Sequence, residues 1–159
     1  MSRRFLMFLM LCCFQVAASA TDRIARLKIA TTVSPITNMV QNVGGTAVEV
    51  KGVVPDGMDS HTFEPLPSDA KLLQDADLII VNGLDLELPT LQLAEKVKKV
   101  HVPILQLGNQ AISQAEWHYD FSFPRELGHP NPHLWLNIEL VMRYVRFIRD
   151  QLAVADPAN

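Results

Sequence analysis

Leu78-Ile79-Ile80-Val81, set between Ala76-Asp77 and Asn82-Gly83, is the most apolar short run beyond the first twenty residues of the chain. Four successive β-prone residues bounded by turn-forming ones predict a central strand. Working back from it, Ser68 to Ala76 places Ala70, Leu72, Leu73 and Ala76 at helical spacing. Before that, Ala47 to Val54 alternates like a strand and ends at Pro55-Asp56-Gly57, three turn residues. Further back, Leu27 to Val33 is β-rich and apolar. Ser34-Pro35 follows as an expected N-cap and first helical residue, and Ile36, Met39, Val40 and Val43 recur at helical spacing until Gly44-Gly45.

On the other side of the central run, a helix is expected from Leu88 to Val100, and a fourth, shorter strand from Pro103 to Leu107. A long loop then spans Gly108 to Leu136. The last helix begins near Ile138, with Leu140, Val141, Tyr144, Val145, Ile148 and Leu152 on its apolar face. Strands alternating with helices in this way predict an α/β fold: a four-stranded parallel sheet with helices on both faces. Such sheets bind ligands beyond the carboxyl ends of their strands, near the point where strand order reverses. Two of the loops on that edge carry histidine.

His61 lies in Asp56-Gly-Met-Asp-Ser-His-Thr-Phe-Glu-Pro65, the loop leaving the second strand. Imidazole is the commonest side-chain ligand for zinc and related metals and binds when neutral. Asp59 and Glu64 flank it, as candidates to orient its second ring nitrogen or to ligate directly. A histidine here can equally cap the following helix or face solvent. His133 lies in His129-Pro-Asn-Pro-His-Leu-Trp-Leu-Asn137, where two prolines stiffen the backbone of a ligand that must be held before a metal arrives. Trp135 is expected to pack beneath it. The 72 positions between the two histidines exclude a finger-type or helix-borne pair, so they can meet only through the fold. His101 precedes the fourth strand, on the opposite edge. His118 and His129 fall in the long loop, as solvated residues or auxiliary ligands. Asp77 is read as ending a helix, and Asp85 and Glu87 as facing solvent.

Other chemistries find little support. The chain has no Gly-x-Ser-x-Gly elbow, phosphate loop or Gly-x-Gly-x-x-Gly fingerprint. Its first twenty residues read as a signal peptide: Arg3 and Arg4, an apolar run from Phe5 to Val16, then the small-residue pattern Ala18-Ser19-Ala20. Neither Cys12 nor Cys13 sits in a lipoprotein-type context, so a freely exported protein is expected. Cleavage near Ala20 removes both cysteines, leaving His, Asp and Glu as the available metal donors. It also takes the formal net charge from −3 to −5. A chain of that charge with few aromatic residues lacks the basic and stacking surface that nucleic acid requires.

Three ordered stretches together carry a resemblance. Ser60-His-Thr-Phe-Glu-Pro-Leu-Pro-Ser-Asp69, Ala76-Asp-Leu-Ile-Ile-Val-Asn-Gly-Leu84 and Asn131-Pro-His-Leu-Trp-Leu136 resemble the zinc- and manganese-binding solute receptors of ABC importers. The likeness runs from Leu27 to Asn159. It implies that His61 and His133 are the first two metal ligands; Asp59, Glu64 and His129 stand beside them as supporting or auxiliary candidates on the reading of the residues alone. It implies further a two-lobed architecture joined by a long helix, two more ligands from the second lobe, and a permease of the cytoplasmic membrane as partner. Against that pattern the chain is about half length, and it is read as residues 1–20, the signal peptide, and residues 21–159, the N-terminal lobe. The second lobe is absent, unless it is supplied as a separate C-terminal lobe. Two nitrogen donors fit Zn²⁺, whereas a carboxylate-rich other half would favour Mn²⁺. The resulting expectation is a periplasmic or other extracytoplasmic metal-binding protein, not an enzyme. The alternatives are a stand-alone metallohydrolase with an open zinc position and a non-functional receptor fragment.

Overall fold

The structure, a computed structural model, describes residues 25–159. The expected signal peptide and its cleavage point lie outside those residues. Four parallel strands form one sheet: β1 (Leu27–Thr31), β2 (Val48–Gly52), β3 (Leu78–Val81) and β4 (Ile104–Gln106), in the order β2-β1-β3-β4. The helices are α1 (Ser34–Gly44), α2 (Pro67–Asp75), α3 (Leu88–Val97), α4 (Leu107–Ala111) and α5 (Ile138–Ala155). The four-stranded parallel α/β sheet expected from the alternation of patterns is the fold observed.

The run that decided the fold is its centre. All four residues of β3 have 0 % exposure, between β1 and β4, in register Ala30 to Ile79 and Ile79 to Ile104. Chain direction across the sheet reverses after β2. Right-handed crossovers therefore put α1 on one face and α2 and α3 on the other. The packing agrees: α1 lies against α5, and α2 against α3. Ile36 and Val40 of α1, Leu73 of α2, Ala94 of α3, and Tyr144 and Ile148 of α5 fill the two layers.

Several boundaries differ from the sequence reading. Ser34 is the first residue of α1, not its N-cap, and its hydroxyl donates to Asp56 on the loop after β2. One glycine of the pair ends α1: Gly45 has φ +53°, whereas Gly44 stays right-handed. Strand β2 is shorter than Ala47–Val54, although Val53 and Val54 still donate to Thr31 and Thr32 carbonyls. Helix α3 stops at Val97, leaving Val100 fully exposed. The expected loop from Gly108 begins instead inside α4, whose first residue is Leu107, the expected end of the fourth strand. Asp77 lies beyond α2. Its carboxylate accepts from the Lys28 amide at 3.1 Å, so it pins the start of β1.

Candidate metal centre

The segment before α5 is built to aim one imidazole. Asn131 Oδ1 accepts both the backbone N–H of His133, at 2.9 Å, and its ring Nδ1–H, at 2.8 Å. The proton is thereby held on Nδ1, and Nε2 keeps its lone pair. Trp135, half-buried, meets the ring edge-on at a centroid distance of 5.2 Å, as a supporting wall. Burial pushes the His133 imidazole below its ordinary range, and the neighbouring His61 adds to this while Asp120 opposes it. The neutral form needed for a metal donor is the form favoured.

His61 arrives from the loop after β2. Its Nε2 lies 3.2 Å from Nε2 of His133, with the rings nearly edge to face and centroids 5.2 Å apart. Two nitrogens bound to one tetrahedral zinc at ordinary bond lengths are about 3.3 Å apart. The pair thus already stands at chelating separation. Phe123 leans over both rings, 5.6 Å from His61 and 5.5 Å from His133 between centroids. Asp59, a candidate to orient the His61 ring, instead accepts from the His61 backbone N–H at 2.9 Å and from the Thr62 hydroxyl at 3.2 Å. It shapes the loop and leaves the imidazole alone. Glu64 is exposed and enters none of these contacts.

Beneath this edge lies a buried polar hub that the sequence reading missed. Glu87, expected at the surface, is 2 % exposed. Gly83, Leu84 and Asp85 all have positive φ, and this left-handed turn folds the chain back so that the Glu87 carboxylate meets the end of β3. Its Oε1 accepts from the Thr32 hydroxyl at 2.5 Å and the Asn82 amide at 2.7 Å, and its Oε2 accepts from the Gly83 amide at 3.1 Å. A side chain at Gly83 would be strained at φ +79°, and its Cβ, 2.1 Å from Asn109 Oδ1, would displace the acceptor of the Leu84 amide. Asn82 donates to the Pro132 carbonyl at 3.0 Å and accepts from the Tyr144 hydroxyl at 2.9 Å. The cleft where strand order reverses is therefore plugged by protein groups. The histidine pair sits above the plug, with His133 tied to it through Pro132. Burial raises the pKa of Glu87, and burial together with Glu87 raises that of Tyr144.

The remaining candidates are placed as follows. His129 gives its Nδ1 to Asp85, 2.8 Å away, and both line a cavity of about 310 Å³ that also reaches His61, Phe123, Pro130 and Pro132. His101 is exposed, and His118 contributes its carbonyl to the Asn131 amide. Among the described residues no group of three or more His, Cys, Asp or Glu side chains is arranged around one metal position. Asn131 was within reach of sequence reasoning, because an Asn two residues before a turn residue commonly bonds the backbone ahead of it. No local signal identifies Asp120, Phe123, Asn82 or Glu87.

Residues 29–159 match the family model described as zinc-uptake complex component A periplasmic, ZnuA. A metal ABC transporter substrate-binding lipoprotein, FimA, from Streptococcus parasanguinis is 32% identical over 154 residues, covering 97% of this chain and 49% of that protein. The manganese ABC transporter substrate-binding lipoprotein PsaA of Streptococcus anginosus is 35% identical over 138 residues, covering 84% and 43%. Among solved structures, the Mn-bound periplasmic metal binding protein of candidatus Liberibacter asiaticus superposes with TM-score 0.72 at 28% identity, over 84% of this chain and 47% of that one. The periplasmic zinc binding protein TroA of Treponema pallidum shares the fold at TM-score 0.72 and 23% identity. The chain thus spans about half the length of these relatives, each of which is named as a binding protein. By the match over residues 29–159, it belongs to the zinc-uptake complex component A family of periplasmic metal-binding receptors.

Proposed function

We propose that residues 21–159 form an exported receptor lobe that captures a divalent transition metal, Zn²⁺ or Mn²⁺, between His61 and His133. The lobe presents the ion to a membrane permease of an ABC importer and does no chemistry on it. The observation that carries this reading is the 3.2 Å Nε2–Nε2 separation, reached by two residues 72 positions apart, with one Nε2 already committed to the unprotonated form. The names of the relatives, metal and manganese transporter substrate-binding proteins, support the cargo and the partner. No helix among the described residues is long and apolar enough to cross a membrane.

Two nitrogen donors leave half of a tetrahedral shell to water or to a partner lobe. The surroundings favour the latter. Leu88, at the start of α3, and Leu127 are exposed and line the same cavity as His61, and Met58, Leu66, Phe121 and Leu136 are exposed on segments between the sheet and the helices. Exposed apolar groups in the cavity that reaches His61 fit a face that a second lobe covers. On this lobe alone the site is open, and its affinity is expected to fall short of nanomolar in a chelator competition.

Isothermal titration of Zn²⁺ and of Mn²⁺ into the purified chain, beside the His61→Ala/His133→Ala double variant, tests the assignment. One ion per chain is expected, lost in the double variant. Unaltered stoichiometry in that variant would refute the ligand assignment.

A further inference from the structure

We propose that Asp120 is the positioning residue of this metal site, a clamp whose two carboxylate oxygens set the aim of His133 and the placement of Phe123 together. The inference rests on the reading of His133 as a ligand and extends it to a residue thirteen positions away with no contact to either imidazole nitrogen.

Oδ2 of Asp120 accepts from the Asn131 side-chain amide at 2.5 Å. A carboxylate only accepts, so it fixes which end of Asn131 is its NH₂ and turns the opposite oxygen toward His133. That oxygen receives the His133 Nδ1–H and backbone N–H. Proton placement thus passes from Asp120 through Asn131 to His133 and leaves Nε2 free toward His61. Oδ1 of Asp120 accepts from the amides of Ser122 and Phe123, at 2.8 and 3.0 Å, while the Asp120 amide donates to the Phe123 carbonyl at 3.0 Å. This tight turn sets the Phe123 ring against both histidines. The carbonyl of His118, just before the turn, accepts from the Asn131 amide at 2.8 Å, tying the two segments a second time.

The chemistry requires both oxygens. An asparagine at 120 has the same shape but a single acceptor. It can serve the turn or Asn131, and its NH₂ must then oppose a donor in the other place. Asp120→Asn is therefore expected to disturb a site that it never touches.

The experiment joins long-range ¹⁵N NMR of the histidine rings in metal-free protein to a competitive zinc titration, for the wild type and for Asp120→Asn, Asn131→Ala and His133→Ala. In the wild type, His133 is expected as the Nδ1–H tautomer. Asp120→Asn and Asn131→Ala should admit the Nε2–H tautomer and weaken zinc by about tenfold to a hundredfold, the usual effect of losing an outer partner of a metal-ligating histidine. Asp120→Asn with an unchanged tautomer, or with zinc affinity within about twofold of wild type while His133→Ala loses zinc, overturns the proposal. Should His133→Ala bind zinc normally, the ligand reading fails by itself. The tautomer result still decides whether Asp120 aims the ring.

Discussion

His61 and His133 bring the same nitrogen to the same place, yet the fold holds them in opposite ways. His133 is half-buried, its ring is bonded to Asn131, and its backbone neighbour Pro132 is bonded to Asn82, which lies at 0 % exposure among β3, α5 and Glu87. His61 is exposed, on a loop organised by its own Asp59, with its ring tilted against Phe123 and its Nε2 3.2 Å from that of His133. On the proposed reading, one ligand is preorganised by the core, and the other sits on an exposed loop with room to swing. A capture site gains from the asymmetry. On that reading the fixed donor would define where the ion sits, and the exposed donor would close on it and later let go.

The sharpest way to break this comparison is at Asn82. Asn82→Ala leaves the Tyr144 hydroxyl and the Pro132 carbonyl without their partner in a buried setting. It should cost about 2–4 kcal/mol in urea unfolding and weaken metal binding along with stability. If stability falls and affinity does not, the His133 arm is not held by the core. Glu87 offers a pH-resolved version. Burial raises its folded pKa above the ordinary value of 4.5. The protonated form is therefore the one folding favours, so its stabilisation is fully present in acid and is lost as pH rises through the folded value. Relative to Glu87→Gln, which cannot ionise, the wild type should lose urea stability as pH rises above 4.5. A pH-independent difference would mean that the Thr32, Asn82 and Gly83 donors hold the carboxylate ionised throughout.

How much of this was legible in the sequence follows the same division. The sheet was readable because β3 is apolar at every position and the neighbouring helices keep an amphipathic period, signals that live in consecutive residues. The meeting of His61 and His133 was readable because both lie in loops on the carboxyl edge, and a parallel sheet collects those loops. The hub was not. Glu87 looks like a surface acid, since its burial depends on three positive-φ residues, of which only Gly83 declares itself. The Asp120–Asn131–His133 chain joins two stretches of an irregular loop, where no periodicity constrains which side chains meet. Asp59 is conspicuous by its nearness to His61 in sequence, but its bond is to the backbone, which a carboxylate two residues before His61 reaches more easily than the ring.

That last residue supplies the gentlest test of the asymmetry. Asp59→Ala removes the acceptor for the His61 amide and the Thr62 hydroxyl, both exposed, so water replaces it readily and global stability should not move. What changes is the freedom of the loop that carries His61. Since His61 must be ordered when the metal binds, extra freedom beforehand is lost at that moment. The expected result is a zinc affinity about twofold to fivefold weaker, with unchanged stoichiometry and an unchanged urea midpoint. A loss as large as that of Asp120→Asn would show that His61 is as preorganised as His133, and the division between a fixed and a swinging ligand would fall. An unchanged affinity would mean that contact with Phe123 and His133 alone orders the loop, and the swinging arm would be narrowed to the imidazole ring.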